Sequence, residues 1–216
     1  MGGIGSRLHS QYTGWGVDEH MKIVRIEIDP EEMVRHRAPD IGLLGDAAST
    51  LERLNAAVAK YNRKRPGRAE HVARIKAEFS NELRTKLQPQ VAYLDAIRAE
   101  LPESGVFVDE FTQVGYVSRL AYPVYGPRTY LGLGYQGALG MGYAYALGAK
   151  CARPDLPVVS VNGDGGFMFN VQEMATAMRF GIGVVAIVFN DNAYGNVRRM
   201  QKEDYGNKLI ASDLRN

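Results

Sequence analysis

The sequence has 216 residues, of which 45% are hydrophobic and 23% charged, an ordinary globular composition that excludes a disordered chain. The net charge of +2 does not by itself indicate a nucleic-acid-binding protein, and one cysteine, Cys151, excludes a disulfide framework. All four histidines lie in the first third of the chain, so we expect no zinc-type Cys/His cluster. With no signal-peptide pattern and no apolar run near the roughly 20 residues that span a bilayer, we expect a cytoplasmic protein.

The first part of the chain shows one strand and one clear helix. The segment Met21–Asp29 alternates β-branched residues and is followed by a turn at Pro30. Residues Ala47–Lys60 place Leu51, Leu54 and Val58 on one helical face. These elements are too few to close a sheet, so residues 1–59 are interpreted as the tail of an α/β domain.

A basic stretch follows at residues 60–88. It contains nine Lys or Arg and three Glu, with Tyr61 and Phe79 as its only aromatic residues. Such a run is found in nucleic-acid-binding surfaces, but these usually interleave more aromatic residues. Because it joins two α/β patterns, we interpret it as a solvated interdomain linker that contains a helix.

From residue 89 onwards strands and helices alternate. Short apolar segments separated by helical patterns predict a parallel sheet with helices on both faces, a doubly wound α/β domain over residues 89–216. The predicted strands are Gly105–Val108, Pro157–Asn162 and Val184–Phe189, and the predicted helices include Gly137–Lys150 and Val171–Arg179.

Residues Gly132–Gly137 match the glycine spacing of a dinucleotide-binding loop, G-L-G-Y-Q-G. That motif needs a strand directly before it and an acidic residue about 20 positions later. The preceding residues 126–129 are predicted to form a turn rather than a strand. We therefore interpret these glycines as permitting close backbone packing.

Polar residues follow two neighbouring strands at their carboxyl ends. Asp164, within the run Gly163, Asp164, Gly165 and Gly166, follows one strand, and Asp191 follows the next. Ligands of open parallel sheets bind at this edge, and two carboxylates with a turn carbonyl suit Mg²⁺. The amides of Gly165 and Gly166 lead into a helix, where an anion is favoured. A diphosphate bridged by Mg²⁺ meets both requirements.

The segment from Gly163 to Gly195 resembles the thiamine-diphosphate motif of the acetohydroxyacid synthase, pyruvate oxidase and benzoylformate decarboxylase group. That motif is Gly-Asp-Gly, a spacer of this length and then Asn-Asn. The resemblance implies thiamine diphosphate and Mg²⁺ as cofactors, with Asp164 as the first metal ligand and the carbonyl of Ala193 as another. Asp191 stands where the family usually has an asparagine ligand, which adds a negative charge beside the diphosphate.

Two further segments carry the resemblance. Residues 136–140 look like the segment whose bulky apolar residue holds the cofactor in its bent shape, and Leu139 occupies that position. Ordinary helix core is the alternative for Leu139. Residues 109–113 stand in the place of the family's first loop, which suggests that Thr112 and Gln113 contact the diphosphate.

The resemblance also covers the beginning of the chain and assigns its parts. Residues 1–59 look like the C-terminal part of the family's central domain, residues 60–88 are the basic linker, and residues 89–216 are a diphosphate-binding domain without its last elements. Some members bind FAD through a stretch that Arg7 matches, so FAD is possible. The pyrimidine-binding domain and its catalytic glutamate have no counterpart here, so we assign no catalytic residue. We expect a fragment, or a subunit of a split enzyme, that is inactive alone. The resemblance implies that it needs a pyrimidine domain of the same or a second chain, within a homodimer or tetramer.

The residues after the second strand end bear on the reaction. Val197 replaces the catalytic glutamate of pyruvate-decarboxylase-like members, and Met200 replaces a tryptophan of acetohydroxyacid synthases. Arg198 and Arg199 are candidates to meet a substrate carboxylate, with exposed helix charges as the alternative. The resemblance thus implies a 2-oxo-acid decarboxylase or carboligase similar to acetolactate synthase. A flavin oxidoreductase of the pyruvate oxidase type and a non-catalytic cofactor-binding subunit are the alternatives.

Overall fold

The computed structural model describes residues 20–35, 38–132 and 137–214. The chain forms two compact units, residues 1–68 and residues 69–216, which are described separately.

The first unit contains two parallel strands, β1 (Val24–Glu27) and β2 (Ile41–Leu44), which pair in register from Val24 with Ile41 to Glu27 with Leu44. Helix α1 (Pro30–Met33) lies between them, and α2 (Ala47–Val58) with a 3₁₀ turn (Ala59–Tyr61) follows. Strand β2 was not predicted from the sequence, which indicated a loop in this segment. It is four residues long and contains a glycine, so it shows no readable alternation.

The second unit is built around a parallel sheet of four described strands in the order β4, β3, β5, β6. The strands are β3 (Val106–Val108), β4 (Tyr130–Leu131), β5 (Val158–Gly163) and β6 (Val185–Phe189). The helices are α3 (Ala69–Lys86), α4 (Gln90–Glu100), α5 (Gln113–Ala121), α6 (Met141–Ala152), α7 (Asp164–Phe167), α8 (Glu173–Phe180) and α9 (Gly195–Glu203). The predicted α/β class with a parallel sheet is confirmed.

Helices cover both faces of this sheet. Successive residues of a strand point to opposite faces, so each face contributes its own side chains to the core. Phe107 is fully buried among the side chains of α4 and α5, where it stacks on Tyr122 with ring centroids 4.2 Å apart. Its neighbours Val106 and Val108 pack on the other face against Ala146 of α6. The strand β3 is therefore the centre of the core, and its end is held rigidly.

Within residues 60–88, which we interpreted as a linker, helix α3 occupies Ala69–Lys86. Leu83 is its one buried residue and belongs to the core cluster on the α4 and α5 face. The remaining side chains are exposed or half-buried, in keeping with the charged composition. No helix in the described ranges is both long and apolar enough to cross a membrane.

Three local expectations were wrong. The predicted turn at residues 126–129 is present, but a short strand, β4, follows it directly before Gly132, where no strand was expected, because two half-buried residues carry no periodic pattern. Helix α6 begins at Met141 rather than Gly137, because Gly140 takes a left-handed conformation with φ of 92°. In the helix predicted at Val171–Arg179 we expected one apolar stripe of Val171, Met174, Ala175 and Met178. Helix α8 instead buries Ala177, and Met178 is 83% exposed.

Candidate functional site

The two strand ends that carry Asp164 and Asp191 lie side by side. Strands β5 and β6 are paired along their length, and the last pair in register is Gly163 with Phe189. Asp164 begins α7 directly after β5, while Asp191 follows β6 by two residues. The paired register therefore brings both carboxylate-bearing turns to one edge of the sheet.

The packing of the glycines shows how close these turns are. A Cβ atom at Gly165 would lie 2.7 Å from Cε1 of Tyr194 and 3.2 Å from Cδ1 of Leu214. Both distances are shorter than ordinary carbon contacts, so only glycine fits without a shift of the neighbouring residues. Gly165 thus allows the turn after β5 to contact the segment after β6.

The end of β3 reaches the same edge. A Cβ atom at Gly163 would lie 3.1 Å from the carbonyl oxygen of Phe111 and 3.7 Å from Cβ of Thr112. Thr112 is buried at the start of α5, and Gln113, the first residue of that helix, is exposed. The structure therefore places Thr112 beside the Gly163 turn and leaves the Gln113 side chain in contact with solvent.

Leu139 lies in the turn before α6, not within the helix. Its side chain is 38% exposed, and its Cδ1 atom is 3.2 Å from the position that a Cβ of Gly166 would occupy. Gly137, at the other end of this turn, approaches the ring of Phe111 in the same way, at 3.1 Å. Leu139 therefore forms part of the wall beside the Gly163–Gly166 turn, and the helix-core interpretation of this residue is wrong.

The segment after β6 is ordered by hydrogen bonds. The Asn190 side chain accepts from the backbone N–H of Asn192 at 2.9 Å, and Asn192 has a left-handed φ of 56°. The N–H of Tyr194 donates to the carbonyl of Ser212, and that of Leu214 to the carbonyl of Asn192, both at 2.9 Å. This pairing holds Ala193, which is 4% exposed, in a fixed position.

The candidate metal ligands are hard oxygen donors of unequal exposure. Asp164 is half-buried and Asp191 exposed, and Ala193 offers only its backbone carbonyl. Among residues 20–35, 38–132 and 137–214, no group of three or more His, Cys, Asp or Glu side chains is placed to hold a metal. The donor set of two carboxylates and one carbonyl suits Mg²⁺, which keeps several waters and takes few protein ligands.

Comparison with known proteins finds a family match that covers most of the candidate site. Residues 112–215 match the family described as thiamine pyrophosphate enzyme, C-terminal TPP binding domain. This part of the chain belongs to that family.

The relatives of this chain carry out several reactions. It is 32% identical to a probable 2-ketoarginine decarboxylase of Pseudomonas aeruginosa over 178 residues, and this match covers 82% of this chain and 32% of that protein. It is 28% identical to an acetolactate synthase large subunit of Parasynechococcus marenigrum, over 99% of this chain and 35% of that protein. A 2-hydroxyacyl-CoA lyase of Oryza sativa is 31% identical, over 94% of this chain and 38% of that protein. The chain thus spans about a third of the length of these curated relatives.

Sequence reasoning missed a buried carboxylate beside this site, that of Glu110. Glu110 is fully buried, and its carboxylate accepts hydrogen bonds from the N–H of Gly140 at 2.5 Å and of Gly142 at 3.0 Å. Burial raises the pKa of Glu110, an effect opposed by these two hydrogen bonds and reinforced by the nearby charge of Asp109. Its only signal in the sequence was the pair of acidic residues, Asp109 and Glu110, that follows an apolar strand.

Asp109 is a second buried acid at the end of β3. Its Oδ2 atom accepts from Nε of Arg119 at 2.8 Å, whereas Oδ1 has no hydrogen-bond partner. Arg119 in turn lies 44% exposed at the end of α5. The ion pair fixes the loop 109–113, because a lone buried carboxylate is strongly unfavourable.

The residues that bear on the reaction lie in α9. Arg198 pairs with Asp213 at 3.3 Å and Arg199 with Glu203 at 2.6 Å, so both arginines have partners within the chain. Val197 and Met200 are exposed on the same helix. Arg7 and the rest of the expected FAD-contacting stretch, like Gln136, lie outside the described residues, so FAD binding stays a prediction.

Proposed function

We propose that this chain binds thiamine diphosphate and Mg²⁺ as the diphosphate-binding part of a 2-oxo-acid decarboxylase or carboligase that resembles acetolactate synthase. The observation that carries the proposal is the convergence of three strand ends and the Leu139 turn at one edge of the sheet, within the part of the chain that matches the family. The proposed contacts are Thr112, Gln113, Leu139, Gly163, Asp164, Gly165, Gly166, Asp191 and Ala193.

The carboxylates of Asp164 and Asp191 and the carbonyl of Ala193 are proposed to hold Mg²⁺. The N–H groups of Gly165 and Gly166 are proposed to donate to the diphosphate oxygens, because they lie in the first turn of α7, where N–H groups have no partner within the helix. Asp191 in place of the usual amide leaves an additional negative charge beside the diphosphate, which lowers affinity unless the metal screens it.

Leu139 is proposed to support the cofactor ring, since it lies exposed in a turn against Gly166 rather than in the core. When bound, thiamine diphosphate supplies a nucleophilic carbon and an electron sink for cleavage next to a 2-oxo-acid carbonyl. The chain's own part is to hold the diphosphate, position the metal and fix the orientation of the ring.

The activity is proposed to require a pyrimidine-binding domain, from the same or a second chain, in a cytoplasmic homodimer or tetramer. Exposed apolar side chains beside the metal turn support assembly: Met168 is 63% and Phe169 54% exposed. Sedimentation of the protein with and without thiamine diphosphate and Mg²⁺ tests this. A fully active monomer would contradict the proposed requirement for a dimer or tetramer.

Calorimetric titration with thiamine diphosphate in the presence and absence of Mg²⁺ tests the cofactor site. Asp164→Ala is expected to weaken Mg²⁺-dependent binding by at least about tenfold, since a methyl group cannot ligate the metal. Asp155→Ala is the control, because Asp155 is exposed and pairs only with Arg153 next to it in the loop. An Asp164→Ala affinity within about threefold of the wild type would remove Asp164 from the site.

A further inference from the structure

The turn that carries Leu139 is attached to the centre of the sheet by one side chain. Glu110 follows the buried strand β3, and its two carboxylate oxygens accept from the N–H groups of Gly140 and Gly142, thirty and thirty-two residues further along. These are N–H groups at the start of α6, which have no partner within the helix. Glu110 therefore satisfies donors that a helix cannot satisfy for itself.

The same carboxylate contacts the turn after β5. A Cβ atom at Gly166 would lie 2.9 Å from Oε1 of Glu110 and 3.2 Å from Cδ1 of Leu139. Glu110 and Leu139 thus both pack against Gly166. The distance between the Leu139 turn and the Gly163–Gly166 turn depends on the Glu110 side chain, because it touches both.

Gly140 shows that this turn is held in an uncommon conformation. Its φ of 92° is left-handed, and a Cβ there would lie 2.7 Å from Cβ of Phe169. The Gly140 carbonyl accepts from the Asn170 side chain at 2.6 Å, while its N–H donates to Glu110. Both polar groups of this residue are therefore held by side chains distant in sequence.

We infer that Glu110 is a positioning residue that sets the place of Leu139 relative to the Gly163–Gly166 turn. This inference rests on the proposed function, in which Leu139 supports the cofactor ring and the Gly163–Gly166 turn binds its diphosphate. Glu110 is fully buried and acts through the backbone of Gly140 and Gly142. Because its hydrogen bonds hold the Leu139 turn, their loss is expected to disturb the ring end of the site more than the diphosphate end.

Glu110→Gln tests the attachment without any ligand. The amide has the same shape but only one accepting oxygen, so one N–H, of Gly140 or Gly142, loses its partner. Amide hydrogen exchange of the chain, followed residue by residue by NMR, is expected to show protection at that N–H reduced by at least about tenfold. Glu103→Gln, an exposed acid of the same unit, is the control. Unchanged protection at both glycines in Glu110→Gln would overturn the inference.

Calorimetry separates positioning from a general structural role. In the presence of Mg²⁺, Glu110→Gln is expected to bind thiamine diphosphate about fivefold to tenfold more weakly but inorganic pyrophosphate within about twofold of the wild type. Equal losses for the two ligands would overturn the positioning role, because they would mean that the whole site is disturbed. A wild-type chain that binds neither ligand would instead overturn the proposed function, and hydrogen exchange would still show whether Glu110 holds the turn.

Discussion

Replacement of Gly142 by alanine is the sharpest test of the packing at this edge. Gly142 lies in the first turn of α6, and a Cβ there would be 2.7 Å from Oδ1 of Asn162 and 2.8 Å from both Cβ and Oε2 of Glu110. Asn162 and Glu110 are both fully buried, so neither side chain has space to move aside. The methyl group must displace α6, the sheet or the Glu110 hydrogen bonds.

The magnitude follows from two opposing effects. Alanine in a helix is more stable than glycine by roughly 0.5–1 kcal/mol, whereas overpacking a close-packed interior costs typically about 1–3 kcal/mol. The overpacking cost is expected at its upper end because three contacts are too short at once. Gly142→Ala should therefore lower the free energy of unfolding by about 2–2.5 kcal/mol.

Gly148→Ala provides the matched control on the same helix. Gly148 is exposed, and a Cβ there would meet no atom within 4 Å, so only the gain in helix stability of roughly 0.5–1 kcal/mol remains. Urea unfolding of both variants, followed by circular dichroism and extrapolated linearly, measures the two effects. A Gly142→Ala variant as stable as Gly148→Ala would refute the close approach of α6 to Glu110 and Asn162.

Three further predictions concern charge. Asp191→Asn is expected to keep Mg²⁺-dependent binding of thiamine diphosphate, since it removes one negative charge; a variant that binds at no Mg²⁺ concentration in calorimetry would show that the carboxylate is needed. Arg119→Met should lower the free energy of unfolding by about 1–3 kcal/mol, because it leaves the buried Asp109 unpaired. Arg153→Met, which breaks an exposed ion pair, should change it by less than about 1 kcal/mol, and equal urea midpoints for the two variants would contradict the prediction. Because burial raises the pKa of Glu110, its contribution to stability is present below its ordinary pKa and is lost as the pH rises through the raised pKa. The free energy of unfolding of the wild type relative to Glu110→Gln should therefore fall over that range of pH. Urea unfolding of both proteins from about pH 4 upwards measures this difference, and a constant difference would contradict the prediction.

Local sequence patterns were sufficient for the architecture of the second unit. Apolar segments such as Val158–Gly163 and Val185–Phe189 are separated by a helix, and a parallel crossover of this kind brings successive strand ends to one edge. The proximity of the Asp164 and Asp191 turns follows from that rule alone. The short strands β2 and β4 were not predicted, because two to four residues without alternation carry no periodic signal.

What the sequence determined by itself was the alternation of the longer strands and helices in the second unit and the edge at which its polar turns meet, since both follow from periodicity and chain connectivity. Only the tertiary structure decided where α6 begins and what holds the turn before it. That turn depends on the left-handed Gly140 and on hydrogen bonds to Glu110, thirty residues earlier, and no local pattern encodes a contact of that separation. The same holds for Met178, whose exposure depends on which elements pack against α8 rather than on helical spacing.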